Sequence, residues 1–131
     1  MKKDIEIPIV KDVAIALAQE WDETFSGKDW NAYIINHKTT AIDMVLVVSK
    51  GYDDDRKTST MRHSLGTLAA KSCAKIELVP DDVLQLNNVF YVTFFAGDKL
   101  YEKNYIFKKN SVLENNMTFI PILEKEGILV E

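Results

Sequence analysis

The residue types able to do covalent or metal chemistry are few in this chain, which has 131 residues with one cysteine and two histidines. Cys73 stands between Lys71 and Lys75 in a stretch that alternates apolar and polar residues. Neighbouring cations stabilise a thiolate, so a nucleophilic Cys73 is the first chemistry to weigh. Neither a base nor an orienting residue adjoins it, and the expectation is a partly covered thiol without a catalytic role. Asp53, Asp54 and Asp55 offer hard oxygen ligands of the kind calcium and magnesium take. Arg56 and Lys57 follow at once and compete for the same charges, and the glycine and terminal glutamate of a calcium loop are missing. A solvated turn is expected there, and no metal.

Arg56, Lys57, Arg62 and His63, with Ser59 and Thr60 among them, are the best polar candidates. Guanidinium and hydroxyl donors suit phosphate oxygens, so this segment is the alternative functional reading: a site for phosphate or an RNA backbone. Gly51 and Gly66 are its nearest glycines, and they make no phosphate-cradling loop. The plainer reading is an edge strand whose charges discourage pairing with other chains. The serines form no glycine-x-serine-x-glycine elbow, and one cysteine with His37 and His63 does not assemble a zinc set. These residues point away from an enzyme and call for no cofactor.

Composition bounds the class. Hydrophobic residues make up 47% and charged residues 27%, which is the balance of a soluble globular protein. A net charge of -4 argues against nucleic acid or an anionic membrane as the main partner, since such partners are met by basic surfaces. The start MKKDIEIPIV lacks the apolar core of a signal peptide, and no run reaches the length of a membrane span. A lone cysteine fits a reducing compartment, so a cytoplasmic protein of one domain, residues 1–131, is expected.

The elements that must position these residues read mainly as strands. Ile42 to Ser49 alternates with period two, placing Ile42, Met44, Leu46 and Val48 on one face against Asp43, Val45, Val47 and Ser49. Trp30, Ala32 and Ile34 alternate likewise, and the short polar run 37–40 between the two predicts a hairpin. Residues 13–21 suit a strand or a helix, because Val13, Leu17 and Trp21 share a helical face while Val13, Ile15 and Leu17 also alternate; strand is preferred. Residues 70–79 alternate with Ser72, Ala74, Ile76 and Leu78 inward and Cys73 and Glu77 outward. Pro80, Asp81 and Asp82 open one helical turn. Residues 89–95 and 100–109 pair about Gly97 and Asp98, with Phe90, Val92, Phe94, Tyr101, Lys103, Tyr105 and Phe107 on one face. Seven to eight short strands without a long helical period predict an all-β antiparallel sandwich of immunoglobulin-like or fibronectin-like style.

The faces opposite these presumed core faces are too apolar for water. Tyr33, Ile35, Val45 and Val47 lie there on the first hairpin, and Val89, Tyr91, Phe95, Leu100 and Ile106 on the second. Either the chain's own ends, residues 1–11 and 117–130, cover that surface, or a second copy or another protein does. The expected function is a non-enzymatic protein-interaction module, with Tyr33, Val45, Val47, Tyr91 and Phe95 as the interaction face.

Through the strings WNAYIIN, VVSKGYDDDRKTSTMRH, LNNVFYVTFF and YIFKKN, the chain resembles over nearly its whole length a family of small uncharacterised bacterial proteins. Some members carry the name phenylalanyl-tRNA synthetase α subunit. The resemblance implies no site residue. Synthetase α subunits are much longer chains with arginine-bearing ATP motifs, and this sequence has neither that length nor those motifs.

Overall fold

A computed structural model describes residues 8–131, and most of the chain end 1–11, one of the expected covers, lies outside that range. Nine strands occur among the described residues, against the seven to eight expected from the sequence, and all pair antiparallel. They are β1 (Val13–Trp21), β2 (Lys28–Asn36), β3 (Ile42–Tyr52), β4 (Met61–Leu68), β5 (Ser72–Val79), β6 (Asn87–Ala96), β7 (Lys99–Phe107), β8 (Thr118–Ile120) and β9 (Lys125–Val130). One helical turn, α1 (Asp81–Leu84), follows Pro80 as the proline and the two acids require. Sheet A has the order β5-β2-β1-β9-β8, and sheet B the order β4-β3-β6-β7. The all-β expectation holds, as do the choice of strand for residues 13–21 and the β6–β7 hairpin. Gly97 sits at φ 66° in the two-residue turn of that hairpin, which demands a positive φ.

The β2–β3 hairpin does not form. β2 pairs with β1 and β5, β3 pairs with β4 and β6, and residues 37–41 carry the chain from one sheet to the other. Buried Asn36 holds this crossover: its Nδ2 reaches Thr40 O at 3.0 Å, Leu68 O at 3.3 Å and Ala69 O at 3.0 Å, while its Oδ1 accepts from Lys38 N at 3.0 Å. One amide thereby satisfies backbone carbonyls at two of the places where the chain changes sheet, β2 to β3 and β4 to β5. A polar run between two alternating segments looks the same whether it turns within a sheet or passes between two.

The core lies between the sheets. Val13, Ile15 and Leu17 of β1 and Trp30, Ala32 and Ile34 of β2 face Val45 and Val47 of β3 and Phe90, Val92 and Phe94 of β6. Phe90 meets Phe107 edge-on at 5.8 Å, and Phe94 stacks on Tyr101 at 5.2 Å, the aromatic layer that the hairpin pattern predicts. The buried Tyr105 hydroxyl donates to Val13 O at 2.7 Å and ties β7 of sheet B to β1 of sheet A.

A smaller apolar cluster covers the other side of sheet A. Ala14, Ala16, Ala18 and Ile35 pack there under Ile120 and Leu123 from the β8–β9 turn. Apolar residues on both faces of β1 explain why its run VAIALA shows no clean alternation. The alanines keep the outer face low, and Gly127 lets β9 close on β1: a Cβ there would stand 2.5 Å from Leu17 O. β9 is thus an interior strand, flanked by β1 and β8.

Candidate functional site

The expected interaction face splits three ways. The register of β3 shifts between Ile42 and Val45 and again between Val45 and Leu46, with Met44 at φ 50° and 70% exposed. This bulge reverses the alternation, because one extra residue swaps the faces of all that follow. Val45 and Val47 are therefore fully buried between the sheets and do not lie on an outer face. Tyr33 is on the outer side of sheet A, where its hydroxyl donates to Glu20 Oε2 at 2.6 Å and Asn31 Nδ2 donates to the same oxygen at 2.8 Å. Tyr91 and Phe95 alone of the five lie on the outer face of sheet B.

That outer face is a grid of four rows set by the strand registers. Asp43 pairs with Phe95 and Phe95 with Leu100; Ser64, Leu46, Thr93 and Glu102 form the next row; Arg62, Val48, Tyr91 and Asn104 the third; Lys50, Val89 and Ile106 the last. Leu46, Val48, Tyr91 and Phe95 are half-buried, and Leu100 and Ile106 are 47% and 46% exposed. Lys50 Nζ sits 5.7 Å from the Tyr91 ring, a cation over an aromatic face. Leu46 and Val48 join this surface because of the same bulge that buries Val45 and Val47. The positive φ at Met44 has no glycine or asparagine to announce it.

The phosphate candidates do not converge. Arg56 is spent on Asp53, with Nη2 at 2.7 Å and Nε at 3.1 Å from Oδ2. Asp53 Oδ1 accepts from the backbone amides of Asp55 and Arg56, and the Arg56 guanidinium with these amides lowers its carboxyl to about 2. The acidic triplet is accordingly a self-bonded turn. Lys57 pairs with Tyr52 through its backbone in an isolated antiparallel bridge, and Arg62 points outward beside Val48. His63 turns the opposite way, into the seam between the sheets. Among the described residues no group of three or more His, Cys, Asp or Glu is placed to hold a metal ion.

In that seam the structure assembles a cluster that the sequence reading missed. His63 Nε2 donates to Glu77 Oε1 at 2.6 Å, and Ser49 Oγ donates to the same oxygen at 2.7 Å. Glu77 was expected outward, but β5 shifts register opposite Ala32 and Tyr33, so Ile76 is buried and Glu77 also turns inward. Serine, histidine and carboxylate lie together, yet the carboxylate is in the middle. A nucleophilic triad instead requires the histidine between serine and acid, so the order of groups here is not that of a triad. The arrangement binds β3 and β4 of sheet B to β5 of sheet A. No signal of spacing could have found it, since its members come from three strands and depend on a bulge.

Cys73 pairs with Ile35 on the outer side of sheet A and lies against the cluster beneath the β8–β9 turn. Burial pushes its thiol up, and Lys125 opposes this in part. The lysines adjacent in sequence are not what sets its reactivity. Comparison with protein-family models, with curated proteins and with solved structures finds no match.

Proposed function

We propose that the chain is a non-catalytic interaction module whose outer face of sheet B docks a second copy of itself. The observation that carries this is an asymmetry between the sheets. On sheet A, Ala14, Ala16, Ala18 and Ile35 are covered by Ile120 and Leu123 of the same chain, and the exposed Leu78 and Phe119 stand apart on its two edge strands. By contrast, Leu46, Val48, Tyr91, Phe95, Leu100 and Ile106 share one grid with no such cover among the described residues. An amphipathic sheet exposing one apolar face favours burial against another layer.

The charges on the grid favour a copy of the same surface. Lys50 and Asp43 lie at opposite ends of β3, and Arg62 and Glu102 lie on opposite edge strands. A two-fold axis across the strands sets Lys50 over the partner's Asp43 row, with Leu100 over the Ile106 row. An axis along the strands brings Arg62 within one row of Glu102. Either way, opposite charges meet and like charges do not, as an isologous contact requires. With strands ~4.8 Å apart and a rise of ~3.3 Å per residue, the grid spans roughly 19 by 23 Å, at the low end for a specific interface. The association is therefore concentration-dependent and not obligate. An immunoglobulin-like or fibronectin-like strand order and a cytoplasmic setting belong to the same proposal, supported by the two antiparallel sheets and the single free thiol.

Sedimentation over rising concentration tests it. The weight-average mass should climb from 14.9 kDa toward twice that value. Val48→Glu and Tyr91→Glu should hold the protein monomeric, because each buries an unpaired charge in the interface. Phe119→Glu, at an exposed apolar position on β8, should not. A monomer at every concentration, or equal sensitivity to Phe119→Glu, contradicts the proposal.

A further inference from the structure

The seam that holds Glu77 also holds a pocket. It encloses about 170 Å³ between the ends of β3 and β5, and its walls include Met61, Leu78, Val79, Pro80 and Val83. That is space for several waters or a short aliphatic chain. We infer that this pocket is a binding site for a small aliphatic primary ammonium, with the Glu77 carboxylate as its anchor. The inference does not depend on the docking face of sheet B.

The hydrogen-bond account of the lining selects the ligand. Thr58 Oγ1 accepts from Gly51 N at 2.8 Å and donates to Ser59 O at 3.0 Å. Asn88 Nδ2 is committed to Val83 O at 2.9 Å and Leu86 O at 3.1 Å. Ser49 Oγ donates its hydrogen bond to Glu77 Oε1, where His63 Nε2 also ends. Among the described residues, no protein donor meets Glu77 Oε2. The polar capacity left in the lining is the Glu77 Oε2 carboxylate oxygen, the Asn88 Oδ1 acceptor and the adaptable Ser59 hydroxyl, a set that asks for a donor and, through the carboxylate, favours a positive one. Lys50 also borders the pocket, but its ammonium lies over Tyr91 on the other face of the sheet and does not pair with the carboxylate. Apolar walls around one oriented charged group are the usual composition of a small-ligand site. The bonds to Ser49 and His63 fix the carboxylate before the ligand arrives, which reduces the ordering cost of binding.

The probe is n-butylammonium, with n-butanol as a neutral match of the same length, each titrated into the unaltered protein while backbone amide shifts are followed. Saturable shifts at Ser49, Gly51, Glu77 and Val83 in the millimolar range are expected for the amine. The alcohol should bind about tenfold more weakly or worse, the order of a lost charge-assisted hydrogen bond. Glu77→Gln should weaken the amine by a similar factor, and Val83→Phe, which fills the apolar wall, should weaken both ligands. Equal affinity for amine and alcohol overturns the inference. So do shifts that never saturate, or that scatter over surface carboxylates away from the seam.

Discussion

Tyr105 shows at one residue how the sheets are locked together. Its hydroxyl bonds Val13 O inside the core, and Tyr105→Phe should cost about 1–2 kcal/mol, because the carbonyl loses a buried donor. Urea unfolding reads this as a lower midpoint at unchanged slope. Burial also raises the phenol well above its ordinary range. A raised phenol keeps its proton in the folded state after the unfolded chain has lost it, so folding stability falls as pH rises through ~10. Tyr33 adds to the same slope, with burial first and then its bond to Glu20 pushing its hydroxyl up. Tyr105→Phe should flatten the slope; an unchanged slope would show that the hydroxyl ionises equally in both states. Cys73 follows the same logic. Its thiol is raised, so alkylation by iodoacetamide near neutral pH should be slower than for a free thiol. A rate above that of a free thiol would restore the lysine-activated reading.

Individual strands were legible where their alternation was unbroken and a turn residue marked their ends. The β6–β7 hairpin satisfied both conditions, and its register follows from Gly97 and Asp98. β3 satisfied neither. Its bulge falls at Asp43 and Met44, which carry no glycine, and the pairing energy that tolerates a left-handed methionine comes from two neighbouring strands absent from any local window. From that single slip follow two errors in the candidate site, Val45 and Val47 set outside and Leu46 and Val48 inside, while the misplaced Tyr33 comes from the hairpin that does not form. Met44→Gly distinguishes the two registers. With a positive φ at this position glycine relieves strain, and stability should rise or hold, by up to about 1 kcal/mol. In an unbroken strand the same change would cost a similar amount. β5 repeats the lesson, since its bulge carries Glu77 into the seam beside Ser49 and His63, three residues with no shared sequence signal.

For the whole molecule, two layers explain most of the apolar surplus that the sequence displays. Part of it is the inter-sheet core, and part is the outer side of sheet A closed by Ile120 and Leu123. Exposed Trp21, Phe25, Leu78 and Phe119 lie elsewhere, and on sheet B the remainder is its outer side, with its apolar middle and its charges at opposed corners. The most direct measurement is a methyl and aromatic NMR spectrum recorded with a soluble paramagnetic probe, first dilute and then concentrated. Self-docking predicts that Leu46, Val48, Tyr91, Leu100 and Ile106 broaden in the dilute sample and become protected in the concentrated one, while buried Val45 and Val47 stay protected in both. If the outer residues remain equally accessible at every concentration, or if Val45 and Val47 broaden with them, the docking face is not the one described.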